Sequence, residues 1–149
     1  MGKILLIEDN GVLADDISKK LKNHDIEIAY SYLTATAAWE EKNGDYDCII
    51  LDLEIETDGI DLEKLNKYHR VQGILLLDEF GKQLLNQDKA PDKKVLWEKT
   101  VVYSAFIDEL KDKEIMKNAP GNFTPIHKRW DNSLSKLVKA VEEVIRKKK

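Results

Sequence analysis

Carboxylates end two short apolar runs of this chain. Lys3-Ile4-Leu5-Leu6-Ile7 runs into Glu8-Asp9, and Asp47-Cys48-Ile49-Ile50-Leu51 runs into Asp52. If both runs are neighbouring parallel strands, Asp9 and Asp52 meet at one edge of a sheet. Carboxylates that close repel one another, so something must hold them there. A divalent cation is the simplest candidate, because hard cations prefer oxygen ligands.

The elements that would position these acids can be read from pattern. Lys3–Ile7 is a continuous apolar run followed by Asn10-Gly11, as expected of a strand buried on both faces. Val12, Leu13, Ile17 and Leu21 recur at helical spacing, with Asp15, Asp16, Lys19 and Lys20 on the other face. Ile26, Ile28 and Tyr30 alternate with Glu27 and Ala29, which predicts a half-exposed edge strand. A helix is expected over Leu33–Lys42, ended by Asn43-Gly44. Tyr46–Leu51 reads as a central strand. This β-α-β-α-β order implies crossover connections and a parallel sheet. In such sheets ligands bind at the carboxyl ends of the strands, where Asp9 and Asp52 lie.

Further along, Glu98–Tyr103 is expected to form a fourth strand and Ile107–Lys117 a helix. Ala119-Pro120-Gly121-Asn122 reads as a turn. Phe123–His127 reads as a fifth strand, placed at the sheet edge because Pro125 cannot donate a ladder bond. Leu134, Leu137, Val138, Val141, Val144 and Ile145 form a helical stripe to the C-terminus, with Asn132 or Ser133 as its cap.

Bulk properties narrow the class. The 149 residues fit one domain with a core that needs no staples. A net charge of -4 gives no general reason to bind nucleic acid. The single cysteine, Cys48, lies in an apolar run and is expected to be a buried, inert thiol. No stretch approaches the roughly 20 apolar residues of a membrane span. With the first strand starting at Lys3 there is no room for a signal peptide, so a cytoplasmic protein is expected. His24, His69 and His127 make no coherent site, and alternation should turn His127 away from Lys128. Trp39, Trp97 and Trp130 are scattered, as packing residues are.

Glu8-Asp9 after the first strand, Asp52 after the third, Ser104-Ala105 after the fourth and Lys128 after the fifth form an ordered set at strand ends. With this alternation, the whole chain resembles a receiver domain of a two-component response regulator, the CheY-like family. The resemblance implies an α/β, flavodoxin-like fold: a doubly wound, five-stranded parallel sheet of strand order 2-1-3-4-5 with helices on both faces. It implies that Asp52 is the phosphoacceptor, phosphorylated by a histidine kinase or a small phosphodonor. It implies Mg2+ held by Asp9, Asp52 and the backbone carbonyl of Glu54, with Glu8 supporting it through water. Ser104 would donate to a phosphoryl oxygen. Lys128 would pair with Asp52 before transfer and with the phosphoryl group after it.

Each residue also has a plainer role open to it. Asp9 could shape a turn or cap the first helix, Asp52 could be an ordinary strand-end acid, Ser104 could cap the following helix, and Lys128 could be solvated. The sequence also departs from the family pattern. Arg129 follows Lys128 where family members carry proline, and Pro125 stands where many carry an aromatic switch residue. Phe123 shares that side of the strand. The span from Asp52 to Ser104 is about 20 residues longer than the family norm, too much for a common loop. Two registers are open: Asp58-Gly59 could be the turn before the third helix, followed by Leu62 and Leu65, or Gly73-Ile74-Leu75-Leu76-Leu77 could open it. The second is favoured, with the main helix over Gln72–Gln87 after an enlarged loop at 54–71 that carries a helical turn near Leu62–Lys67, and Asp88–Asp92 is expected as a polar loop. That loop is either a solvated insertion or a cover over Asp52.

The resulting expectation is one receiver domain over 1–149 with no output domain. It would be a phosphoacceptor rather than an enzyme, acting through a histidine kinase or phosphotransfer protein and a downstream partner, phosphorelay or homodimer contact. It would involve neither membrane nor direct nucleic-acid binding. The rivals are a pseudo-receiver that binds partners without phosphorylation, and an Mg2+-dependent phosphohydrolase using Asp52 as nucleophile. A flavin module of similar topology is disfavoured because the acidic turn after the first strand would repel a flavin phosphate.

Overall fold

The computed structural model describes residues 1–55, 63, 71–86, 92–110 and 122–147. The described strands are β1 (Lys3–Ile7), β2 (Asp25–Ala29), β3 (Cys48–Leu51), β4 (Thr100–Ser104) and β5 (Thr124–His127). They form one five-stranded sheet of order β2-β1-β3-β4-β5, and every pairing is parallel. The chain connects them through α1 (Gly11–Lys20), α2 (Tyr32–Glu41), α3 (Ile74–Asn86) and α4 (Asp92–Glu98), and ends in α5 (Ser133–Lys147).

Alternation along the strands creates two cores. Ile4, Leu6, Cys48, Ile50, Val101 and Tyr103 pack on α1 and α5 through Ile17, Leu137, Val141 and Ile145. Leu5, Ile7, Ile49, Leu51 and Val102 pack on α2, α3 and α4 through Trp39, Ile74, Phe80 and Leu96. The sheet is thus covered on both faces, as expected of a parallel sheet whose central strands read as apolar runs. Burial pushes the Cys48 thiol up to about 12, in keeping with an inert cysteine. The edge positions of β2 and β5 also match expectation.

Local chemistry sets the helix ends. Asn10 has extended backbone and its side chain accepts the Leu13 N–H, so Asn10 rather than Asp9 caps α1. Ser31 and Thr34 form a reciprocal capping box at α2. Asn43 and Gly44 end α2 in left-handed conformations, with the Gly44 N–H donating to the Trp39 carbonyl. Trp39 lies flat between Phe80 and Tyr46 in the core.

Several boundaries differ from the sequence reading. Glu98 ends α4 instead of opening β4. The Thr100 hydroxyl donates back to the Leu96 carbonyl at this tight junction, a helix end that a polar, lysine-rich segment does not announce. Asp92 likewise opens α4 rather than closing a polar loop. Tyr46 precedes β3: its N–H donates to the Gly44 carbonyl and its carbonyl accepts from Lys99 Nζ. The helix expected from Ile107 is a single 3-10 turn over Ile107–Glu109 among the described residues, and its continuation to Lys117 lies outside them. Asn132 has a positive φ of 56° and so lacks the extended backbone of an N-cap, while the Ser133 hydroxyl bonds the Tyr103 hydroxyl. α3 begins at Ile74, two residues later than expected. The enlarged loop, apart from its ends and Glu63, and the turn at 119–121 lie outside the described residues.

Candidate functional site at the carboxyl end of the sheet

The register places the acidic residues together. Ile7 pairs with Leu51, so the residues that follow them, Glu8 and Asp52, leave adjacent strands side by side. The Asp52 N–H donates to the Ile7 carbonyl at 3.0 Å. On the other flank, the Glu8 N–H donates to the Ala29 carbonyl. Carboxylate oxygens of Glu8, Asp9 and Asp52 lie within 4.8 Å of one another. Glu8 is 2% and Asp52 6% exposed, whereas Asp9 faces solvent.

Buried carboxylates need partners. Lys128 supplies one from the loop after β5. Its Nζ donates to Glu8 Oε1 at 2.7 Å and to Asp52 Oδ2 at 3.1 Å. The Lys128 N–H donates to the Ser104 carbonyl, which ties the lysine backbone to the end of β4. The Asn10 N–H donates to Glu8 Oε2, and the Glu54 N–H donates to Asp52 Oδ1 at 3.3 Å. Glu54 itself is exposed beside the site. Ser104 is fully buried at the end of β4, and its Oγ accepts the Phe106 N–H. That acceptor role leaves its own O–H to donate elsewhere.

The electrostatics are unbalanced in one direction. Burial, and then the charge of Asp52, push the Glu8 carboxyl up to about 7, although Lys128 and the Asn10 N–H pull it down. Burial alone would lower the Lys128 ammonium, but Asp52 and Glu8 outweigh it and hold it above 10.5. Two buried carboxyls thus share one ammonium, with the Asp9 carboxyl beside them. This oxygen-rich, anion-excess donor set fits a small hard cation such as Mg2+.

A stability consequence follows for the metal-free protein. Folded Glu8 holds its proton more tightly than the unfolded chain does. Its contribution is therefore full below its ordinary value of 4.5 and is lost as the pH rises through about 7. Glu8→Gln should gain stability relative to the parent between pH 5 and 8, by on the order of 2 kcal/mol. Chemical denaturation of both proteins in chelator across that range checks this. A constant difference would contradict it.

The structure therefore brings Glu8, Asp9, Asp52 and Lys128 into one cluster, with Ser104 linked to it through the Lys128 backbone. It leaves His24 and His127 out, and His69 lies outside the described residues. His24 bonds the Gly2 N–H and Glu142, and His127 sits against Asp108 and Trp130. The Lys128–Glu8 contact, shorter than that to Asp52, is not foreseen in the sequence. The only signal for it is that Glu8 and Asp52 end paired strands.

No family model matches the sequence, and no curated protein matches it. Solved structures do. A response regulator receiver domain protein from Clostridium thermocellum superposes with a TM-score of 0.65 at 18% identity, covering 99% of this chain and 97% of that one. The receiver domain of the Francisella response regulator 1452 superposes with a TM-score of 0.63 at 20% identity over the whole of both chains. The non-phosphorylated HemR receiver domain from Leptospira biflexa gives 0.63 at 19% identity, with 97% and 94% covered. The chain has the receiver-domain fold. The departures at Pro125 and Arg129 belong to a receiver fold whose fifth strand is intact: Pro125 lies opposite Val102 in the β4–β5 register. Phe123, on the same side as Pro125, packs at a tilt against Trp97, with ring centroids 6.0 Å apart. Among the described residues, no helix of this receiver fold is long and apolar enough to cross a membrane.

Proposed function

We propose that this chain is a phosphoryl-accepting receiver whose acceptor is Asp52. The observation that carries the reading is the Lys128 ammonium bonded to the buried carboxylates of both Glu8 and Asp52. A solvated lysine or an ordinary strand-end acid would not need that arrangement.

In this reading an Asp52 carboxylate oxygen attacks phosphorus. The donor's bond to phosphorus breaks, its leaving group departs with the bonding electrons, and Asp52 becomes an acyl phosphate. The donor is a phosphohistidine of a kinase or phosphotransfer protein, or a small acyl phosphate. Lys128 holds Asp52 in place beforehand and then follows the negative charge onto the phosphoryl group. Ser104 uses its free O–H to bond a phosphoryl oxygen. Asp9, Asp52 and the Glu54 carbonyl would hold Mg2+ directly, with Glu8 acting through water. Bound there, the cation neutralises negative charge on the phosphoryl oxygens. The output then passes to a downstream protein.

A non-covalent phosphoryl mimic tests the reading. Beryllofluoride with Mg2+ should bind the parent protein and raise its thermal midpoint, and should do neither to Asp52→Asn. Equal indifference of both proteins would favour an interaction module that works without phosphorylation.

A further inference from the structure

After Asp52 the described residues run to Ile55 and, Glu63 apart, resume at Val71. They resume against the acceptor itself. The Gly73 N–H donates to the Leu53 carbonyl at 2.6 Å. A Cβ on Gly73 would lie 2.2 Å from the Asp52 carbonyl oxygen, 3.1 Å from its carbonyl carbon and 3.0 Å from the Leu53 Cα. All three atoms are backbone, so no flexible side chain can swing aside. The first of these gaps is more than about 1 Å short of ordinary contact. Nothing on either side yields easily: Leu53, Val71, Ile74 and Leu76 are all fully buried. Gly11, by contrast, has open space where its Cβ would be. What Gly73 supplies is therefore the absence of a side chain, which lets the start of α3 lie directly on the backbone that carries the acceptor.

We infer that Gly73 is a positioning residue for Asp52, which fixes the acceptor's backbone through this contact. The inference rests on the phosphoryl-accepting reading and adds a residue to it. Any side chain at 73 must separate α3 from the Asp52–Leu53 backbone by about 1 Å, and a displacement of that size at a reacting group costs up to about 100-fold in rate.

The test compares the parent protein, Gly73→Ala, and Val141→Ala, which loosens the opposite core without touching the site. Each is incubated with acetyl phosphate and saturating Mg2+, and rates are normalised to the folded fraction. Gly73→Ala should form the Asp52 adduct about 10- to 100-fold more slowly. It should also lose the adduct more slowly, since the same alignment serves hydrolysis. Val141→Ala should match the parent in both. Parent-like formation and lifetime in Gly73→Ala, or an equal defect in Val141→Ala, would overturn the positioning role alone. A parent protein that forms no adduct would overturn the phosphoryl-accepting reading and this inference with it. Should Gly73→Ala not fold, the parent's Gly73 amide resonance decides. It should shift together with that of Leu53 when Asp52 is charged, and an unmoved Gly73 amide would overturn the inference.

Discussion

Asp52→Asn is expected to take up no phosphoryl group from acetyl phosphate or a kinase, and yet to remain folded. Asparagine keeps the size of the side chain and its bond from the Glu54 N–H, but an amide is not a nucleophile here. The folded-state effect runs in the opposite direction. Asp52 is one of the two causes that raise the Glu8 carboxyl. Removing its charge should bring Glu8 down toward its ordinary value and leave Lys128 paired to Glu8 alone. Metal-free Asp52→Asn should therefore be at least as stable as the parent at pH 7, while its loss of phosphorylation is complete. Phosphoryl uptake, carboxyl-selective NMR titration of Glu8 and denaturant midpoints check the three parts. Residual uptake at the parental rate would place the acceptor elsewhere.

Lys128→Ala is expected to give the second-largest effect, and to lower both stability and reaction. Without the ammonium, the Glu8 and Asp52 carboxylates remain side by side with no cation. Removing one partner of a fully buried ion pair costs about 3–5 kcal/mol. Lys128 is 22% exposed, and Glu8 can take a proton, so about 2–3 kcal/mol is expected here. The loss should shrink below pH 6, where Glu8 is protonated, and also in Mg2+, which replaces the missing charge. The phosphorylation rate should fall by about 100-fold or more, the scale on which removal of one electrostatic stabiliser acts. Denaturation at two pH values with and without Mg2+, together with single-turnover phosphorylation, separates these effects. A variant as stable and as reactive as the parent would remove Lys128 from the site.

Much of this was legible because the parallel strands are buried on both faces. The runs ending in Ile7 and Leu51 are apolar without alternation, as strands of a covered parallel sheet are. Once those strands are adjacent, Glu8, Asp9 and Asp52 must meet at their ends. Pro125 marked β5 as an edge strand for the equally local reason that it lacks an N–H. What was not legible depended on contacts distant in sequence. Glu8 and Lys128 are 120 positions apart, and neither residue's neighbours indicate that the ammonium favours Glu8 over Asp52. The helix that ends at Glu98 abuts β4 through the Thr100 hydroxyl bond to the Leu96 carbonyl, a contact that the polar residues before Thr100 do not announce. From the sequence Asp9 could cap α1, but the side chain that accepts the Leu13 N–H is that of Asn10, which leaves Asp9 to the cluster. Gly73 was legible only as a residue near the start of a helix, because the space it leaves beside Asp52 appears only when the returning segment is in place.

The central claim is that Asp52 accepts a phosphoryl group with the help of this cluster. Incubating the protein with acetyl phosphate and Mg2+, followed by intact mass spectrometry and borohydride trapping to locate the modified residue, tests it most directly. One phosphoryl adduct should form and map to Asp52, and none should form when Mg2+ is chelated beforehand. No adduct, while a known receiver reacts in the same mixture, would contradict the account.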